Sequence, residues 1–92
     1  MKKYNFIIAY DIANAKRLRK VAKALEKVAL RIQNSIFLYS NASKQDIKEI
    51  VDVLQENINQ DEDDVRIYKA DVKKSLHLKS GINLEYPNII KG

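Results

Sequence analysis

The sequence predicts an α+β fold, a βαββαβ sandwich in which an antiparallel sheet carries two helices on one face. Three observations predict it. Two segments place apolar residues at helical spacing, and they are interleaved with segments in which apolar and polar residues alternate. The order along the chain is strand, helix, strand or strands, helix, strand. A chain of 92 residues holds one small domain and no more.

Tyr4–Asp11 reads as the first strand, with Tyr4, Phe6, Ile8 and Tyr10 on one face and Ile7 and Ala9 on the other. Both faces are largely apolar, which suits a central strand. The strand stops at Asp11. Asn14 is a suitable N-cap, because its side chain can accept from an orphan amide of the first helical turn. The helix that follows lines up Leu18, Val21, Ala22, Leu25, Val28 and Ala29 on one stripe. Its other side carries Lys16, Lys20, Lys23 and Lys27, with Arg17 and Arg19 at the front.

The period then becomes alternating. Leu30, Ile32, Ile36 and Leu38 share one face, and Arg31, Gln33, Ser35, Phe37 and Tyr39 share the other. One long strand fits, and so do two short strands broken near Asn34-Ser35. Asn41 and Ala42 read as a turn, and Ser43 to Asp46 as a capping box. The second helix has Ile47, Ile50, Val51, Leu54 and Ile58 on its stripe. Asp61, Glu62, Asp63 and Asp64 read as a solvated loop, since consecutive acids lack converging geometry, and Val65–Ala70 as the next strand. This order is the split βαβ, ferredoxin-like plan.

Residues 1–70 therefore form the domain, and residues 71–92 a C-terminal extension. Leu76, Leu78, Ile82, Leu84, Tyr86, Ile89 and Ile90 make that extension too apolar to leave in water. A small two-helix core has no room for them, so the extension is expected to pack on a partner subunit in a homodimer. The alternative is that it folds back on its own sheet.

Composition excludes most enzyme classes. The two glycines, Gly81 and Gly92, cannot build a phosphate-binding P-loop or a dinucleotide turn. Without cysteine there is no disulfide, thiolate zinc site or Cys nucleophile, which fits a reducing, cytoplasmic setting. The single histidine, His77, reads as a surface or interface residue and cannot form a two-His metal motif. The apolar run from Phe6 to Tyr10 is far short of the roughly 20 residues that span a bilayer. The start Met1-Lys2-Lys3 leads directly into strand-like sequence, so neither a signal peptide nor a membrane partner is expected. Charge is uneven: residues 1–45 carry ten bases and two acids, a balance of +8, and residues 46–92 carry seven bases and ten acids, a balance of −3. A basic half of this kind suits a polyanion such as nucleic acid, or simply a solvated lysine-bearing helix.

Asp11 is the leading candidate for chemistry. A carboxylate ending an apolar strand can help bind Mg²⁺, an ion that takes oxygen ligands and often only one or two carboxylates. One Asp per chain is a poor site, but near the axis of a two-fold dimer it appears twice. Its plainer role is to help cap the helix entrance. Arg17, Arg19 and Arg31 can fork onto phosphate oxygens or serve only solubility. Phe37 and Tyr39 can stack on bases or pack against neighbours. Ser35 can donate to a phosphate, attack one, or serve as a turn residue.

These residues resemble a known family. The segments Tyr10-Asp11-Ile12, Lys16-Arg17-Leu18-Arg19-Lys20-Val21-Ala22-Lys23, Leu30-Arg31-Ile32-Gln33-Asn34-Ser35-Ile36-Phe37 and Asp64-Val65-Arg66-Ile67-Tyr68 are similar to the CRISPR-associated endoribonuclease family, the small dimeric protein of the spacer-acquisition module. The resemblance covers residues 4–70. It implies a ferredoxin-like, cytoplasmic prokaryotic homodimer that cuts single-stranded RNA or double-stranded DNA with Mg²⁺. The metal-binding aspartate then falls on Asp11, with support from Tyr10, Arg17, Arg19, Arg31, Ser35 and Phe37. It also implies a partnership with the integrase subunit. Lys16, Lys20, Lys23 and Lys27 are the expected nucleic-acid contacts. The chain departs from the family pattern at Ala13 and Asn14, where many relatives place a second acid, at Ala29 in place of Gly, and at Leu38 in place of an acid. Two other readings compete: a non-catalytic DNA-binding adaptor that bridges integrase dimers, and a small-ligand regulatory domain of the same fold.

Overall fold

A computed structural model of the chain describes residues 2–70 and the strand Asn88–Lys91. The elements are β1 (Tyr4–Asp11), α1 (Ala15–Glu26), β2 (Leu30–Gln33), β3 (Ile36–Ala42), α2 (Lys44–Asn57), β4 (Asp64–Ala70) and β5 (Asn88–Lys91). The sheet order is β2-β3-β1-β4-β5, and every neighbouring pair is antiparallel. β1 is interior, as its two apolar faces predict. Because β1 and β2 both pair antiparallel with β3, they run the same way, and α1 carries the chain across the strand between them. This is the ferredoxin-like βαββαβ arrangement. The open choice after α1 resolves into a hairpin with Asn34-Ser35 at its turn.

Alternation along β1 sends Phe6, Ile8 and Tyr10 into one core with Phe37, Val65 and Ile67 of the flanking strands. Val21 and Leu25 of α1 and Ile47, Ile50, Val51 and Leu54 of α2 close that core, so both helices cover the same face. Each such side chain contributes about 1.5–3 kcal/mol through burial. The expected caps are present. Asn14 Oδ1 accepts from the Arg17 amide at 3.0 Å. Ser43 Oγ accepts from the Asp46 amide at 3.0 Å while Asp46 Oδ2 accepts from the Ser43 amide at 2.9 Å. Those bonds hold the Asp46 carboxyl below the usual carboxylate range.

Four expectations change. α1 ends at Glu26, and the amides of Val28 and Ala29 both turn back to the Leu25 carbonyl at 3.0 and 2.8 Å, so Val28 leaves the apolar stripe and is exposed. Asn41 and Ala42 belong to β3 rather than to a separate turn. The β1–β3 register shifts there, and Asn41 takes a φ of 55°, a left-handed value that Asn tolerates better than most residues. A second shift sets Gln33 opposite Ile36, taking it off the face it was expected to share with Arg31. Finally, Asn88–Lys91 pair with the chain's own β4, with Arg66 opposite Lys91 and Ile67 opposite Ile90. For these four residues the expected placement on a partner is corrected. The free edge of β4 offers unpaired backbone groups, and the chain's own last strand satisfies them. Residues 71–87, His77 among them, lie outside the described residues, and so does their path. Among the described residues no helix is long and apolar enough to cross a membrane.

Candidate active site and nucleic-acid interface

Antiparallel pairing brings the end of β1, the β2–β3 turn and the start of β4 to one end of the sheet. Asp11 closes β1 there and is exposed. By alternation it lies with Ile7 and Ala9 on the face away from α1 and α2. Its register partner is Asp64, the first residue of β4. Side chains directly opposed in this way have Cβ atoms about 4.5–5.5 Å apart. On the other flank, the Tyr10 amide donates to the Ser35 carbonyl at 3.1 Å and the Tyr10 hydroxyl to the Asn34 carbonyl at 3.3 Å. Asp11 therefore ends its strand between Asp64 on one flank and the Asn34-Ser35 turn on the other.

Sequence reasoning missed Asp64 as a site residue, having left it in a solvated loop. Its carboxylate accepts from Arg66 Nε at 2.7 Å, which raises the Arg66 pKa. The register supplies an acid beside Asp11 where the local sequence, Ala13 and Asn14, has none. The available signal was symmetry of position, since one charged residue ends β1 and another opens β4, but only the pairing makes them neighbours.

Asp63 corrects the loop reading more strongly. Its side chain is 0% exposed. Oδ1 accepts from the Ala13 amide at 2.9 Å and from Arg17 Nη2 at 3.1 Å, and Oδ2 accepts from Arg17 Nε and from the Asn59 amide, both at 2.8 Å. Arg17 Nη2 also reaches Glu62 at 2.8 Å. The Arg17 bond holds the Asp63 carboxyl far below the usual carboxylate range against the opposing effect of burial. The same bond pushes the Arg17 pKa up. Arg17, expected to grip phosphate, is thus half-buried and engaged by two acids of its own chain.

The aromatic residues are inward as well. Phe37 is 0% exposed, and its ring stacks on Tyr10 with centroids 6.1 Å apart at 26°. The Arg31 guanidinium lies 5.1 Å from the Phe37 ring centre and 3.5 Å from Glu26. Burial pushes the Tyr10 phenol up, with Arg31 partly offsetting it. Phe37 has no ring face to offer a base, so its stacking role gives way to packing. Tyr39 is half-buried and packs against the same core.

The charged residues that remain outward are Arg19, Arg31 and the lysines of α1. Lys16, Lys20 and Lys23 of α1 and Lys27 at its C-cap are all exposed and follow one another over about 16 Å. Neither they nor Arg19 form an ion pair among the described residues. For a metal, no group of three or more His, Cys, Asp or Glu converges among the described residues. Asp11 and Asp64 offer two carboxylates at the strand end. That set fits Mg²⁺ completed by phosphate oxygens and water, and it does not form a closed cage.

The family described as "CRISPR associated protein Cas2" matches residues 4–76. The chain is 41% identical over 63 residues to a protein of Archaeoglobus fulgidus named CRISPR-associated endoribonuclease Cas2 2, covering 68% of this chain and 66% of the relative. It is 38% identical over 64 residues to CRISPR-associated endoribonuclease Cas2 1 of Nitrosomonas europaea, covering 70% of this chain and 60% of the relative. In both cases the match spans slightly less than two thirds of the relative's length. The fold superposes on Cas2 of Streptococcus pyogenes with a TM-score of 0.72 at 27% identity, covering 82% of this chain and 95% of the other. It also superposes on the hypothetical protein TT1823 of Thermus thermophilus with a TM-score of 0.73 at 20% identity, covering 99% and 100% of the two chains. The chain belongs to the CRISPR-associated Cas2 family.

Proposed function

We propose that this protein acts in CRISPR adaptation, in the prokaryotic cytoplasm, as a homodimeric endonuclease. It hydrolyses phosphodiester bonds of single-stranded RNA, double-stranded DNA or both, and works beside an integrase partner. The observation that carries the reading is the placement of Asp11, exposed at the end of β1 with Asp64 opposite, on the sheet face away from α1 and α2. The endoribonuclease names of the two relatives support it. That face also bears Ile36 and Leu38, both half-buried, and Leu30 at its edge is 68% exposed. A second copy covering this apolar surface brings two Asp11 residues toward one axis.

Asp11 is the carboxylate that holds Mg²⁺, with Asp64 beside it, and bound Mg²⁺ supplies phosphate charge neutralisation and a more acidic water for in-line attack. Ser35 lies at the hairpin turn on the other flank, placed to donate to a phosphate. Arg19 and Arg31 carry positive charge at the surface, and the α1 lysines hold the polynucleotide backbone. Tyr10 and Phe37 support the site by fixing the hairpin turn and the end of β1.

Purified Asp11→Asn protein tests this. Divalent-dependent cleavage is expected to fall at least about 100-fold, more than the loss of a residue that merely supports a metal ligand. Fold and nucleic-acid binding should remain. If Asp11→Asn cuts as fast as the wild type, the non-catalytic adaptor is the correct reading. The two-carboxylate donor set, which is sparse for a nuclease, is the feature that favours that second reading.

A further inference from the structure

We propose that Arg17 and Asp63 form a latch that positions Asp11, and that Arg17 serves through this latch without touching nucleic acid. The proposal rests on the Asp11-centred reading above. Asp63 has two oxygens and receives four hydrogen bonds, from Arg17 Nε, Arg17 Nη2 and the amides of Ala13 and Asn59. A carboxylate accepts about four such bonds, so its capacity is filled. The bonds join three segments: the loop after β1, the first turn of α1 and the loop after α2. Ala13 is two residues beyond Asp11, and Asp63 immediately precedes Asp64, the register partner of Asp11. Both acids at the strand end are thus tied to the latch through one or two peptide units.

The geometry also argues against Arg17 as a phosphate ligand. Its Nε and Nη2 bind Asp63, and Nη2 also binds Glu62. To turn its Nε and Nη2 onto a phosphate it must abandon a fully enclosed carboxylate, and a buried charge left without its partner is strongly destabilising; only Nη1 lies outside these bonds. Arginine suits the latch because its planar fork spans both oxygens, whereas a lysine ammonium is a single point of charge. Lys16, Arg19 and Lys20, on the same helix, are exposed and can meet phosphates without breaking any such bond.

The test compares full-length wild type, Arg17→Lys, Arg17→Gln, Asp63→Asn and the Arg17→Gln/Asp63→Asn double variant, well below their unfolding midpoints. Three quantities are read: the single-turnover cleavage rate at saturating nucleic acid, Mn²⁺ affinity by electron paramagnetic resonance, and the salt dependence of metal-free DNA binding. Arg17→Lys and Asp63→Asn should each lose about 10–100-fold in cleavage rate or Mn²⁺ affinity. The double variant should be no worse than the poorer single one, because both disrupt one unit. The salt slope of Arg17→Gln should equal that of the wild type, and its apparent affinity for DNA should be unchanged. A fall of about 1 in that slope would place Arg17 on a phosphate and overturn the proposal. So would wild-type cleavage and Mn²⁺ affinity in Asp63→Asn. If Asp63→Asn fails to fold, Arg17→Lys carries the test, since it retains the charge and the two amide bonds to Asp63. If the wild type does not cleave, the nuclease reading fails by itself. Mn²⁺ affinity then decides the latch: weaker binding in the variants supports it, and equal or absent binding overturns it.

Discussion

Arg17 and the lysines along the outer face of α1 carry the same sign of charge and use it in opposite ways. Arg17 is turned inward to Asp63 and Glu62. Lys16, Lys20, Lys23 and Lys27, on the same helix, are exposed and form no ion pair among the described residues. The difference comes from what the fold brings near. The α2–β4 loop reaches the front of α1 and places an enclosed carboxylate there, while no acid among the described residues pairs with the outer lysines. Phe37 and Arg31 show the same division at the other side of the site, one enclosed and the other with its charge outward. A count of basic and aromatic residues therefore overstates the surface that can meet a polyanion. Some of them hold the site together, and the others are left to bind.

Removing an inward residue should have the largest effect. Phe37→Ala deletes a ring that is 0% exposed and stacked on Tyr10, and should destabilise the protein by about 3–5 kcal/mol in urea unfolding. Phe37→Leu should recover most of that loss and leave nucleic-acid binding at its wild-type strength. If Phe37→Leu instead weakens binding at unchanged stability, the ring belongs with the outward group and the comparison breaks at this residue.

The division was only partly legible beforehand. The fold was readable because α1, α2 and β1 each carry a continuous pattern that one period explains. Local conformation escaped it. The shifts at Asn41 and Gln33 arise from pairing with another strand, and the early stop of α1 hides behind apolar residues that continue the helical spacing through Val28. Asp11 stood out as an acid that ends an apolar strand, and the family resemblance reinforced it. Asp63 did not stand out, because its partner Arg17 lies 46 residues away and its neighbours are also acids. Alternation put Phe37 on a face with Arg31 and Tyr39, but the strand itself does not say which face the helices will cover. For the extension, apolar content alone did not say which chain it would meet. For Asn88–Lys91 the surface met is the free edge of β4 in the same chain.

The outward group is sharpened by reversing charge at Lys20 and Lys23 together. If both meet phosphates on double-stranded DNA, the slope of log affinity against log salt should become shallower by about 2. The loss should be the same for unrelated sequences, since phosphate contacts carry no sequence information. Stability should change by no more than about 0.5 kcal/mol, the usual range for surface positions. An unchanged slope would remove the lysine stripe from the interface and leave Arg19 and Arg31 to carry it.

The smallest effect at neutral pH is a difference in acid response between the two groups. The Asp63 carboxyl is held far below its ordinary value in the folded chain, chiefly by Arg17. In the unfolded chain it returns to about 3.9. Above about pH 5 the group is ionised in both states, so its contribution to stability is complete and does not vary with pH. As pH falls below about 4, the unfolded chain takes up a proton that the folded chain refuses, and that contribution is progressively lost. The stability gap between wild type and Asp63→Asn should therefore be flat from pH 8 to about 5 and narrow toward pH 3. One proton limits the narrowing to about 1.4 kcal/mol per pH unit. Arg17→Gln should show the same narrowing against wild type, because it removes the main cause of the depressed value. Lys23→Gln should stay parallel to wild type throughout, as its side chain has no ion-pair partner among the described residues. Urea midpoints measured across this range decide the matter. A gap for Asp63→Asn that stays constant down to pH 3 would mean that the enclosed carboxylate is not held ionised by Arg17, and the contrast between Arg17 and the outer lysines would lose its electrostatic basis.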